Sequence, residues 1–180
     1  MTKEALLIVD MSNDFVADDG TLTVGQAGQE IVPYIKILAE QFLAEGNLVV
    51  VSMDAHQPND PHFDLWPVHN VVDTEGQQLY GELHDWFEKN KDHENVIYDP
   101  KPNYNAFFQT GLAETLKAAG VEKVHTVGVA TDICVFLTTA GADAEGFKTA
   151  THKRGVATFT DNGEVMLNQM KRCFHPEVIE

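Results

Sequence analysis

Ala5-Leu6-Leu7-Ile8-Val9-Asp10 is the stretch whose reading decides the fold: five apolar residues with no polar alternation, closed by an acid. A strand with one face in water alternates apolar and polar side chains. A strand covered on both faces reads as one continuous apolar run, so this stretch predicts an inner strand of a parallel sheet. Similar runs return at Leu48 to Met53, Val96 to Tyr98 and Val124 to Val129, with a weaker one near Thr149 to His152. Helical spacing fills the gaps. Ile31, Ile35, Leu38 and Phe42 form an apolar stripe that Gly46 ends, and Leu112, Leu116 and Ala119 form a shorter one closed by Gly120. A helix is expected from about Thr131, and another carrying Val165, Met166, Gln169, Met170 and Cys173. The alternation predicts an α/β protein, a single-domain three-layer α/β/α sandwich over residues 1–180 with a mostly parallel, Rossmann-like sheet.

The chain has 180 residues, enough for one core, and its 12 Lys and Arg against 28 Asp and Glu give a formal charge of −16. That field repels nucleic-acid phosphates and anionic membranes. Met1-Thr2-Lys3-Glu4 runs directly into the first strand without the pattern of a signal peptide, and no stretch approaches the roughly 20 apolar residues of a membrane span. A cytoplasmic protein is expected, with Cys134 and Cys173 as free thiols. Its expected partners are a small-molecule substrate and further copies of the chain in a homo-oligomer, with no nucleic acid and no membrane.

In open parallel sheets ligands bind beyond the carboxyl ends of the strands. There this chain places Asp10 after the first run, Asp54 and His56 after the second, Lys101 after the third and Cys134 after the fourth. Cys134 falls in the first turn of the expected helix, which Thr131 or Asp132 would cap. Helix N–H groups there favour thiolate and would lower the thiol's pKa, although a buried structural cysteine is the competing reading. Cys173 has no such surroundings and reads as structural. Asp10 and Lys101 are candidate partners of a thiol nucleophile. His125 and His152 lie within strands and read as solvent-facing or satisfied core residues, which disfavours a Cys–His pair.

Asp54-Ala55-His56 places two ligand types on one side of an extended segment, and His69 adds a third. One carboxylate and two imidazoles suit a divalent zinc, manganese or iron ion and leave coordination positions open. Asp64 is a further candidate, directly or through water, and Asp60 and His62 compete for the same role. Ala55 to Leu79, rich in Asp, Asn, His and Pro, reads as a long functional loop.

Four motifs in order, Leu7 to Phe15, Asp54-Ala55-His56 with Trp66-Pro67-Val68-His69-Asn70, Lys101 to Phe107, and Gly128 to Val135, resemble the isochorismatase-like cysteine hydrolases, and among them nicotinamidase/pyrazinamidase. The resemblance implies a triad of Asp10, Lys101 and Cys134, a cis Val129–Ala130 peptide, and an oxyanion hole from the Ala130 and Cys134 N–H groups. It implies a metal on Asp54, His56 and His69, since related isochorismatases and carbamoylsarcosine amidases generally lack that set. Phe15, Trp66 and Tyr104 resemble the family's aromatic substrate-binding wall. The implied reaction converts nicotinamide, and pyrazinamide, to carboxylate and ammonia through a Cys134 thioester. The alternatives are a relative acting on another small amide or on isochorismate, and a silent metal- or ligand-binding protein on the same frame. The chain departs at Asp73-Thr74-Glu75-Gly76, where the family's turn often begins with glycine, and matches loosely from Lys153 on.

Overall fold

The computed structural model describes residues 3–180. Six strands form one sheet in the order β3-β2-β1-β4-β5-β6, with every neighbouring pair parallel. They are β1 (Lys3–Val9), β2 (Leu48–Asp54), β3 (Val96–Lys101), β4 (Val121–Val129), β5 (Lys148–Ala157) and β6 (Glu177–Ile179). The opening run is the sheet's centre. Leu6 and Ile8 face one layer, Ala5, Leu7 and Val9 the other, and all five are fully buried. Each of the Leu, Ile and Val side chains contributes about 1.5–3 kcal/mol relative to exposure, which is why two covered faces demand an unbroken apolar strand.

One layer is built by α1 (Asn13–Val16), α2 (Gln26–Glu30), α3 (Val32–Ala44) and α4 (Glu82–Asn90), the other by α5 (Leu112–Ala118), α6 (Phe136–Ala144) and α7 (Gly163–Cys173). The predicted stripe of α3 is buried from Ile31 to Phe42. α4 was not foreseen. Only Leu83 and Trp86 of its nine residues are buried, so its apolar signal is two positions within a charged surface.

The structure corrects the reading at several places. β3 runs on to Lys101 through Asp99 and Pro100, because as an edge strand it tolerates the missing Pro100 N–H and because Ser52 Oγ donates to Asp99 Oδ2 at 2.9 Å. β5 extends well beyond His152, and β6 is a sixth, three-residue strand too short to show a pattern. Cys173 is exposed on the outer face of α7, whose buried residues are Leu167 and Met170. Among the described residues no helix is long and apolar enough to cross a membrane.

Candidate active site

Three adjacent strands deliver the charged centre. Asp10 leaves β1 with φ 54°, a left-handed conformation that Asp tolerates better than most residues, and its N–H bonds Ser52 O at 3.0 Å. Lys101 ends β3 with no exposure. Its Nζ donates to Asp10 Oδ2 at 2.7 Å, to Asn103 O at 3.1 Å and, in a very short contact, to Asp54 Oδ1. Asp10 Oδ1 accepts from the Asp54 N–H at 2.7 Å. Cys134 closes the group from beyond β4, with Sγ and one carboxylate oxygen each of Asp10 and Asp54 all within 4.8 Å of one another. β4 approaches at Gly128, φ 114°, where a Cβ would stand 2.0 Å from Val9 O. The Val129–Ala130 peptide is cis.

Burial decides the charge states. It pushes Asp10 up, Asp54 adds repulsion, and Lys101 only partly offsets both, leaving its carboxyl at about 6. For Asp54, burial acts upward too, but the Lys101 ammonium, with the His56 and His69 imidazoles close by, holds it far below the usual range. Burial opposes the Lys101 ammonium, yet Asp10 and Asp54 overcome that and raise its pKa. The Cys134 reading is corrected here: its pKa lies well above, not below, the ordinary thiol value, because burial and the Asp10 carboxylate both oppose thiolate. The expected cap is corrected as well. Thr131–Val135 is a π-helical turn with Ala130 at its N-cap position and no side-chain cap bond. Cys134 is thus a neutral thiol beside a base.

Across Asp54 stands a histidine group. Asp60 Oδ2 bonds His56 Nδ1 at 3.0 Å and Pro67 O bonds His69 Nδ1 at 2.6 Å. Both Nε2 atoms therefore turn to Asp54 Oδ2, at 3.7 and 3.8 Å. Each histidine is oriented through its second nitrogen, as in metal centres. His56 Nε2 is buried with no hydrogen-bond partner, an atom that a cation would satisfy. His62 joins His56 and His69, with ligand nitrogens within 4.8 Å of one another, while Asp64 is exposed and outside the group. Of the competing residues, His62 can therefore ligate and Asp60 orients. The donor set, three imidazoles and a carboxylate, fits a zinc-type divalent ion.

The loop carrying His69 is anchored next to it. Asp14 Oδ2 accepts from the Asn70 N–H at 2.7 Å, and Ser12 Oγ donates to Asn70 Oδ1 at 2.8 Å. Asp73 takes up the positive φ of 62° that the family's glycine would have.

Phe15, Trp66, Tyr104, Ala130 and Cys134 all line one pocket between these groups, with Asp54, His62 and His69 at its metal side. Trp66 Nε1 donates to Tyr104 Oη at 2.9 Å, joining the long loop to the segment after β3. Leu22, Val24, Ile133 and Phe159 complete the wall and were missed. Phe159 follows β5, so the strand-end rule applied to a better-defined fifth run would have found it. Leu22 and Val24 lie in a segment without period.

The chain from residue 4 to residue 178 matches the model of the isochorismatase domain. The isochorismatase family protein PncA of Bacillus subtilis is 40% identical over 164 residues, covering 89% of this chain and 90% of that protein. The chain belongs to the isochorismatase family. The crystal structure of nicotinamidase/pyrazinamidase PncA from Bacillus subtilis superposes with a TM-score of 0.96 at 37% identity, covering 99% of this chain and all of that one. The pyrazinamidase of Pyrococcus horikoshii, solved in complex with zinc, superposes with a TM-score of 0.86 at 29% identity, covering 99% of each chain. Within the family the resemblance is to nicotinamidase/pyrazinamidase members, and the chain is an amide hydrolase of that type.

Proposed function

We propose that the protein hydrolyses nicotinamide, and likewise pyrazinamide, to the carboxylate and ammonia through a Cys134 thioester. The observation that carries this reading is the meeting, in one largely apolar, aromatic-walled pocket, of a buried Cys134–Asp10–Lys101 centre with a cation-ready histidine group. A neutral flat ring suits such walls, and the carboxamide would lie beside Cys134.

Asp10, with its carboxyl at about 6, is a base poised near neutral pH. It takes the thiol proton as Sγ attacks the amide carbon, so no preformed thiolate is needed. The Ala130 and Cys134 N–H groups hold the oxyanion, each contributing about 3 to 4 kcal/mol to the transition state. Asp10 then returns the proton to the departing nitrogen as the C–N bond breaks. In the second half it takes a proton from water as the water oxygen attacks the thioester, the C–S bond breaks, Asp10 returns that proton to Sγ, and the acid formed loses its own proton to solvent as the carboxylate. Lys101 holds Asp10 in place and compensates its charge throughout. Asp54, His56, His62 and His69 would hold one divalent ion, zinc before manganese or iron, which when bound anchors the substrate's ring nitrogen as a Lewis acid. The zinc of the Pyrococcus neighbour supports that choice. The two free thiols fit a reducing cytoplasm, and a homo-oligomer is part of the same reading.

Ammonia release from nicotinamide, measured with and without chelator, tests the proposal. Activity is expected, lost on chelation and restored by zinc, and Cys134→Ala abolishes it while circular dichroism is unchanged. Full activity in that variant would end the thioester mechanism. Turnover of isochorismate but not of nicotinamide would move the chain to the other branch of the family.

A further inference from the structure

The reaction uses the ends of β1 to β4, yet a fifth strand end also reaches the pocket. Thr158-Phe159-Thr160 follows β5, and the Phe159 ring lines the same pocket as Ala130 and Cys134 while remaining 50% exposed. Half its surface lacks apolar neighbours, so packing alone leaves the ring free to choose other rotamers. Its backbone, in contrast, is tied on both sides to one carboxylate. Thr158 Oγ1 donates to Asp132 Oδ1 and Thr160 Oγ1 to Asp132 Oδ2, each at 2.6 Å. Hydroxyl-to-carboxylate bonds of this length are of the strong, charge-assisted kind. The hydroxyls in turn accept the Thr160 N–H at 3.3 Å and the Asn162 N–H at 3.0 Å, which fixes the turn itself. Asp132 sits two residues before the nucleophile, in a turn that has no side-chain cap bond, so its carboxylate serves the neighbouring loop instead of its own helix end.

We infer that Asp132 is a positioning residue which, through Thr158 and Thr160, sets Phe159 as the specificity-determining outer wall of the pocket. Tying the wall to the Cys134 turn fixes the ring's backbone anchor relative to the sulfur and so confines the gap between ring and sulfur. The gap admits planar single-ring amides and rejects wider, fused-ring ones. The kinetic readout rests on the amide-hydrolase reading of the site, whereas the steric one does not.

The test compares Phe159→Ala, the pair Thr158→Val with Thr160→Val, the pair Thr158→Ser with Thr160→Ser, and Phe159→Ala combined with the valine pair, all in a Cys173→Ser background. Phe159→Ala and the valine pair are each expected to raise the nicotinamide KM about 5- to 10-fold with kcat within about twofold, the signature of lost ground-state positioning. Both are expected to improve quinoline-3-carboxamide relative to nicotinamide about 10-fold in kcat/KM. The serine pair, which keeps both hydroxyls, behaves as the parent protein. The combined variant is no worse than Phe159→Ala, since the clamp acts only through that ring. Parental selectivity in the valine pair, additive losses in the combined variant, or a serine pair that fails like the valine pair would each overturn the inference. If the parent releases no ammonia from nicotinamide, the substrate reading fails, and the wall is then read from alkylation of Cys134 by iodoacetanilide against iodoacetamide. The bulky-to-small rate ratio is expected to rise about fivefold or more in Phe159→Ala and in the valine pair. An unchanged ratio overturns the wall on its own terms.

Discussion

At Gly128 the fold leaves no room for even a methyl group. With φ 114° and Val9 O in the space of a Cβ, Gly128→Ala must displace the last residue of β1, from which Asp10 hangs. The expected cost is about 3 kcal/mol or more, read by urea unfolding, with activity lost even in the fraction that folds. Lys101 is the converse case, a residue whose removal leaves charges behind. Lys101→Met strands two buried carboxylates, Asp10 and Asp54, and should destabilise the protein by about 3 to 5 kcal/mol; an unfolding midpoint equal to that of the parent would show that the pair is not mutually dependent on it. Asp60 acts at one remove from the histidine group, through His56 Nδ1. Asp60→Asn is expected to weaken zinc about 10- to 100-fold in a competition titration against a chromophoric chelator, without changing the fold.

Among the elements, β4 and β5 carry a polar chain across their buried surfaces. Tyr34 Oη bonds His152 Nδ1 at 2.8 Å, His152 Nε2 bonds His125 Nδ1 at 2.8 Å, and His125 Nε2 reaches Glu4 Oε2 at 2.7 Å. With both rings neutral, one hydroxyl and two ring N–H groups satisfy every acceptor in a single direction. Burial, then Lys123, lowers His125 to about 4, and burial, then His125 and Lys123, lowers His152 to about 4, with Glu177 of β6 opposing in both; Arg154 lies over the Tyr34 ring. The folded pKa values lie below the unfolded value of about 6.5, so the unfolded chain binds more protons between the two. Stability contributed by the neutral pair is complete above pH 6.5 and is lost as pH falls towards 4, on the order of a few kcal/mol for the pair. A variant with both histidines changed to Gln should lose less stability than the parent between pH 7 and pH 4 in urea titrations. Equal losses would show that these rings do not titrate on unfolding. The reading of these strands from sequence was uneven for the same reason. Continuous apolar runs mark β1, β2 and β4, while β5 hides His152 and the exposed Lys153 and Arg154 within its ten residues, so its end and the Phe159 beyond it were not seen.

For the whole molecule, the sign and size of the charge matter more to the product than to the substrate. In the proposed reaction the nicotinamide is neutral and its carboxylate product is not, so a net charge of −16 acts only on the second. Raising ionic strength should leave kcat/KM for nicotinamide unchanged within about twofold while strengthening inhibition by nicotinate, because screening shortens the repulsive field to about 8 Å at physiological salt. A salt-independent inhibition constant would remove the field from the account. The site as a whole was more legible than its chemistry. Asp10, Asp54, Lys101 and Cys134 converge because parallel strands align their carboxyl ends, a property of topology that spacing reveals. The high thiol pKa, the place of His62 beside His56 and His69 with Asp64 outside them, and the bonds of Asp132 depend on burial and on where loops fold back, which no local pattern encodes.

The centre's bonds also span the chain: Lys101 reaches Asp10 across 91 positions and Asp54 across 47. Contacts of such separation form only after the loops between them have closed, and parallel pairing makes that closure slow. No fragment or partly docked intermediate can assemble the charged group, since β1, β2, β3 and the turn after β4 must all be in register first. Recovery of enzymatic activity during refolding should therefore coincide with the last structural phase and never precede it.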